Sequence, residues 1–145
     1  MPTAGPRPTT RQALRGAARV VAAAGLAVDA YVHADLAEQY DAVSANISQG
    51  DLFRVEAGAA SLAALLVLVW RRPLGDAFAW LVAAGGLAAL LVYRYVNVGA
   101  FGPFPNMYEP IWTNKKWLAA VAQALAVIAV STLFVARPPH RRRLE

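Results

Sequence analysis

Residues 78–98 read FAWLVAAGGLAALLVYRYVNV, an apolar run broken by one charged side chain, Arg94, near its far end. At ~1.5 Å of rise per residue, a helix of that length covers roughly the 30 Å of a bilayer's hydrocarbon core. A helix satisfies its own backbone groups in lipid, so the stretch predicts a transmembrane helix. Three further runs of the same kind stand at about Gly16–Asp35, Leu52–Trp70 and Trp117–Ala136. Hydrophobic residues make up 58% of the chain and charged residues 16%, against about 25% charged in soluble domains. The fold class expected is all-α, an integral membrane four-helix bundle. The domain limits expected are a basic, disordered tail over 1–15, a transmembrane domain over 16–136 and a second basic tail over 137–145.

The pI near 10.1 would suit nucleic acid if the cations were clustered on a soluble face. They are instead sorted by loop. Ten of the 14 Lys and Arg lie before or early in helix one, in the Arg71-Arg72 turn, or after helix four, accompanied only by Asp76 and Glu145. The other side carries Arg54, Arg94, Lys115 and Lys116 with the remaining seven acids. Positive loops stay cytoplasmic, so both termini are expected inside a multi-pass plasma-membrane protein. The basic tails then meet anionic lipid, and no nucleic-acid partner is expected. Basic residues ahead of the Val20–Val28 run also match a signal peptide, but the helical pattern continues through Tyr31, His33 and Leu36, which favours an uncleaved anchor. With no cysteine, disulfides and thiolate chemistry are excluded.

The first outer loop has Leu36, Tyr40, Val43 and Ile47 at helical spacing, so helix one should run on or be followed by a helical turn. Ser48 or Asp51 can cap helix two, and Thr113 or Asn114 helix four. The second outer loop holds Pro103, Pro105 and Pro110 among Phe101, Phe104, Tyr108 and Trp112. Proline stiffness and aromatic preference for the interface predict a cap over the outer helix ends.

Beneath that cap each helix carries polar residues: Asp29 and His33, Arg54 and Glu56, Arg94, and Gln123, with Glu109 in the loop. Charged residues at such depth usually face the bundle interior in pairs, which makes Arg94 a bridge to Asp29 or Glu56. The layer reads either as an ion-pair network fixing helix register or as a site open to the outer side, with Asp29 and His33 exchanging protons. No P-loop, GxGxxG, GxSxG or HExxH is present, so no catalytic residue, metal site or cofactor is expected.

YRYVNVGAFGPFPNMYEPIW and SQGDLFRVEAG resemble a group of uncharacterised small four-helix membrane proteins of high-GC Gram-positive bacteria. That resemblance implies the fold and carries no activity or catalytic residue. The function expected is a non-catalytic accessory or scaffold subunit presenting its aromatic cap to a membrane-protein partner or a second copy. The alternatives are a small oligomeric transporter or proton-coupled carrier, and a lipid-active membrane enzyme using Asp29, His33 or Glu109.

Overall fold

The computed structural model describes residues 5–138, so the ends of both expected tails, 1–4 and 139–145, lie outside the described residues. Four helices follow in order: α1 Thr10–Ala37, α2 Gln49–Leu65, α3 Pro73–Tyr95 and α4 Asn114–Val135. Each, with its adjoining turns, is long and apolar enough to cross a membrane. The chain is an all-α four-helix bundle. It goes up and down, with α1 packed on α2 and α4, and α3 on α4 and more sparingly on α2.

The helix starts correct the expected limits, and capping explains each. Thr9 accepts from the Gln12 N–H while the Gln12 side chain accepts from the Thr9 N–H, a reciprocal box that starts α1 at Thr10 rather than Gly16. Ser48 and Asp51 form the same box and start α2 at Gln49 rather than Leu52. Pro73 opens α3, where a missing N–H costs nothing. Thr113 caps α4 through the Lys116 N–H. At the other end of α3, Val96 is already extended, so the helix stops at Tyr95 and not Val98. Past Ala37 the chain makes the expected further turn, a 3-10 turn over Glu38–Tyr40.

The core is built from small residues. Ala22, Ala60, Ala63, Ala79, Ala83 and Ala126 are fully buried with Leu26, Val67, Val130 and Leu133. Small side chains let backbones approach closely, which is how helices associate in lipid. One such approach is at Gly25 in the middle of α1, where a Cβ would lie 2.6 Å from the Ala122 carbonyl oxygen of α4. Large apolar residues such as Leu65, Val69, Leu81 and Ile128 face outward, as a lipid-facing surface requires. Polar side chains between them find partners: Ser61 donates to the Ala57 carbonyl and Thr132 to Ile128 within their own helices, and the Trp80 indole donates to Ser131 across from α3 to α4.

The two ends of the bundle differ. At the end where α1 starts, α4 finishes and α2 turns into α3 (the terminal end), Arg19 is buried between helices. It donates to both carboxylate oxygens of Asp76, at 2.8 and 3.2 Å, and to the Val67 carbonyl at 2.9 Å. Val67 lies in the wide turn Leu66–Trp70 that closes α2, where Arg71 bonds five residues back to Leu66 in a left-handed conformation. Arg15 reaches the Leu133 carbonyl near the end of α4. Two arginines of α1 therefore cap the carbonyl ends of both neighbours, where cations are favourable. Arg19 and Asp76, counted from the sequence among the charges of the basic side, are a buried pair rather than flanking charges.

Candidate functional site

At the opposite, loop-bearing end the helices part. Every buried residue of α3 lies between Gly75 and Ala83, so the second half of α3 stands away from the core. A cavity of about 360 Å³ fills the gap, lined from all four helices and by the α3–α4 loop through Met107, Glu109 and Thr113.

Glu56 lines its floor, and Asp29 and Gln123 lie behind it. Eight residues from the end of α1, nine from the start of α4 and seven from the start of α2 place all three about 10–14 Å inside their helices. Asp29 and Gln123 are completely buried. The Gln123 amide donates to Asp29 Oδ1 at 2.9 Å, and His33 Nδ1 approaches the same oxygen at 2.9 Å and the Asp29 carbonyl at 3.0 Å. Both neighbours of Nδ1 are acceptors, so Nδ1 carries a ring hydrogen, and Nε2 is left without a protein partner on a ring that lines the cavity. The Glu56 carboxyl lies against that of Asp29. Gly86 makes room for the group: a Cβ there would stand 2.5 Å from the Gln123 amide nitrogen and 2.7 Å from Glu56 Oε1.

His33 packs edge-on to Phe53 at 5.1 Å, and Tyr40 lies 5.0 Å from the same ring. Tyr40 then donates to both oxygens of Glu109, at 3.0 Å each, and Lys116 reaches Glu109 at 3.1 Å and the carbonyls of Glu109 and Ile111. Lys115 pairs with Asp35. The Glu109 N–H donates to the Tyr93 carbonyl, and the Ile47 N–H to the Pro103 carbonyl, so both loops are tied across the mouth. Tyr40, Lys116 and Gly86 belong to the site although sequence reading did not single them out as site residues; the Leu36–Tyr40 spacing was the available signal for Tyr40.

Three expectations are corrected by placement. Arg54 is not in the polar layer: it is half exposed and pairs with Asp41 at 2.7 Å and Asp51 at 3.2 Å. Arg94 is not a bridge. Among the described residues no carboxylate lies within ion-pair distance of it, and its guanidinium lies over Tyr95 at 4.8 Å and Trp112 at 5.5 Å. Arg94 stands one residue from the end of α3, about 10 Å above the level of Glu56, because α3 ends earlier and α2 starts earlier than expected. The cap is made by the loop, but only in part by its aromatic rings. Trp112 stacks on Trp117 at 4.3 Å, while Phe101 is exposed on a Phe101–Phe104 turn and Tyr108 is also exposed.

Four buried polar atoms have no hydrogen-bond partner among the described residues: Asp29 Oδ2, Glu56 Oε1, Gln123 Oε1 and Arg94 Nε. All four belong to this end. No cluster of His, Cys, Asp and Glu with metal-holding geometry occurs among the described residues. No family model, curated protein or solved structure matches the chain.

Proposed function

We propose that the protein is a non-catalytic, membrane-embedded binding protein that holds a small amphipathic molecule in the loop-end cavity. One observation carries this reading: the unpartnered buried polar atoms among the described residues gather at that cavity, on Glu56 and Arg94 in its lining and on Asp29 and Gln123 behind Glu56. Buried polar groups are normally hydrogen-bonded, and a cluster of exceptions at one place suits a missing partner. The volume lies in the usual range for ligand pockets, roughly 300–1,000 Å³, and apolar side chains such as Leu36, Leu52 and Leu90 alternate with the polar ones. A binding subunit of a larger membrane assembly and a carrier are both built on such a site.

The chain is read as a plasma-membrane protein with both termini cytoplasmic, from the distribution of arginines, which puts the cavity in the outer leaflet. Absence of cysteine makes this directly testable. A cysteine placed at Ser44 should react with an impermeant reagent in intact cells, and one placed at Thr9 should not; the reverse pattern inverts the topology.

Binding is tested on protein taken from its native membrane into nanodiscs. A small molecule should be recovered at about one per chain, and Ala89→Phe, which fills the cavity from α3, should lose it while keeping its helical content. If the parent carries nothing and the filled variant behaves identically, the binding reading fails. A stoichiometric protein partner in the same sample would then favour a scaffold role.

A further inference from the structure

The cations of the loop end are accounted for one by one. Arg54 has Asp41 and Asp51, Lys115 has Asp35, and Lys116 has Glu109. Arg94 has no carboxylate, yet it lines the cavity and its Nε is buried without an acceptor. Its guanidinium is laid against Tyr95 and Trp112, with Nε buried, the terminal nitrogens accessible and no acceptor bonded to any of them among the described residues. A fixed guanidinium with free donors matches a carboxylate or phosphate, whose two oxygens fit the fork.

The floor has the opposite polarity. Glu56 Oε1 lines it without a donor, and one oxygen each of Asp29 and Gln123 behind it also lacks one. Between floor and guanidinium lie about 10 Å of mostly apolar wall.

We infer that the cavity takes an amphipathic acid with two polar ends: a carboxylate or phosphate on Arg94, an apolar body along Leu36, Phe53 and Leu90, and a hydroxyl or amine donor at Glu56, beside His33. This rests on the binding reading above and adds the chemical class and orientation of the ligand. Such an oxyanion comes from a free organic acid or from a lipid phosphate.

Thermal shifts in phosphatidylcholine nanodiscs test it with five probes: 8-aminooctanoate, octanoate, octylamine, octanol and dihexanoyl phosphatidic acid. 8-Aminooctanoate should bind at least tenfold more tightly than octanol, with octanoate between them. Arg94→Gln should weaken the acids about tenfold and leave octanol unchanged, and Arg94→Lys should recover part of the loss. Glu56→Gln should reduce the advantage of 8-aminooctanoate over octanoate. Stronger binding of phosphatidic acid than of the free acids, still lost in Arg94→Gln, supports the same oxyanion site and assigns it to a lipid. Octanol or octylamine binding as well as the acids, or acid affinity unchanged in Arg94→Gln, overturns the inference while leaving a binding cavity. If no probe of any charge binds, the binding reading falls with it.

Discussion

Arg19 and Arg94 are both arginines near the ends of apolar helices, and the structure treats them in opposite ways. Arg19 is buried in a bidentate pair with Asp76, and its remaining contact caps the Val67 carbonyl. Arg94 is half buried, lies on two aromatic rings and has an unpartnered Nε. Around Arg19 the helices close on alanine; around Arg94 they part around a cavity. A polar network whose members are all satisfied rigidifies the fold, whereas a half-satisfied one is costly unless something completes it. The terminal end is a lock, and the loop end is left open and incomplete.

Breaking the lock should have the largest effect. Arg19→Ala leaves the Asp76 carboxylate buried without its partner, and losses of this kind run to about 3–5 kcal/mol. Thermal unfolding in detergent should show it, and replacing Asp76 as well by a similar-sized apolar residue should restore part of the loss. An Arg19→Ala protein as stable as its parent would abolish the distinction between the two ends.

Next comes a pair of glycine substitutions that compares a closed contact with an open one. Gly25→Ala drives a methyl into the Ala122 backbone, which cannot move aside, and overpacking of this sort costs about 1–3 kcal/mol. Gly86→Ala meets only the Gln123 and Glu56 side chains, which can swing into the cavity. It should be the milder of the two for stability, and should reduce ligand affinity instead. Equal destabilisation would mean that the loop end is packed as tightly as the middle.

Arg94→Gln should be smaller again. A cation–aromatic contact at a partly exposed position contributes about 0.5–1 kcal/mol, so the melting temperature without ligand should move little. A loss as large as that of Arg19→Ala would give Arg94 a structural role.

The smallest effect is expected at the exposed Arg54–Asp41 pair. Hydrogen bonding to Arg54 holds the Asp41 carboxyl below its ordinary value. A carboxyl lowered in the folded state adds stability above its unfolded pKa and loses it as pH falls through the folded one. The difference in melting temperature between parent and Arg54→Ala should therefore be slight at neutral pH, vanish in acid, and shrink with salt. A difference that grows on acidification contradicts the pairing.

Much of the fold was legible because lipid imposes a simple rule. Runs of about 20 apolar residues can only be helices there, and the Ser48 and Thr113 caps carried their usual chemistry. The Thr9-x-x-Gln12 box was equally present and would have placed the start of α1 correctly. The site was legible by membership but not by pairing. Asp29, His33, Glu56 and Gln123 do come together, because residues at similar depth on neighbouring helices meet. Arg54 and Arg94 do not join them, because shifts of three residues at two helix ends, about 4–5 Å each, separate their levels.

Composition and hydrophobic run length by themselves determined four helices, their order and the segregation of arginine, since each is a property of a segment against its solvent. Which arginine is buried in a pair and which is left free was decided only by the tertiary structure. That outcome depends on where helices end, which faces turn inward and how closely alanine and glycine let backbones approach. Each of these is a relation between segments distant in sequence, and Gly25 against Ala122 or Arg19 against Asp76 exists only once the helices have packed.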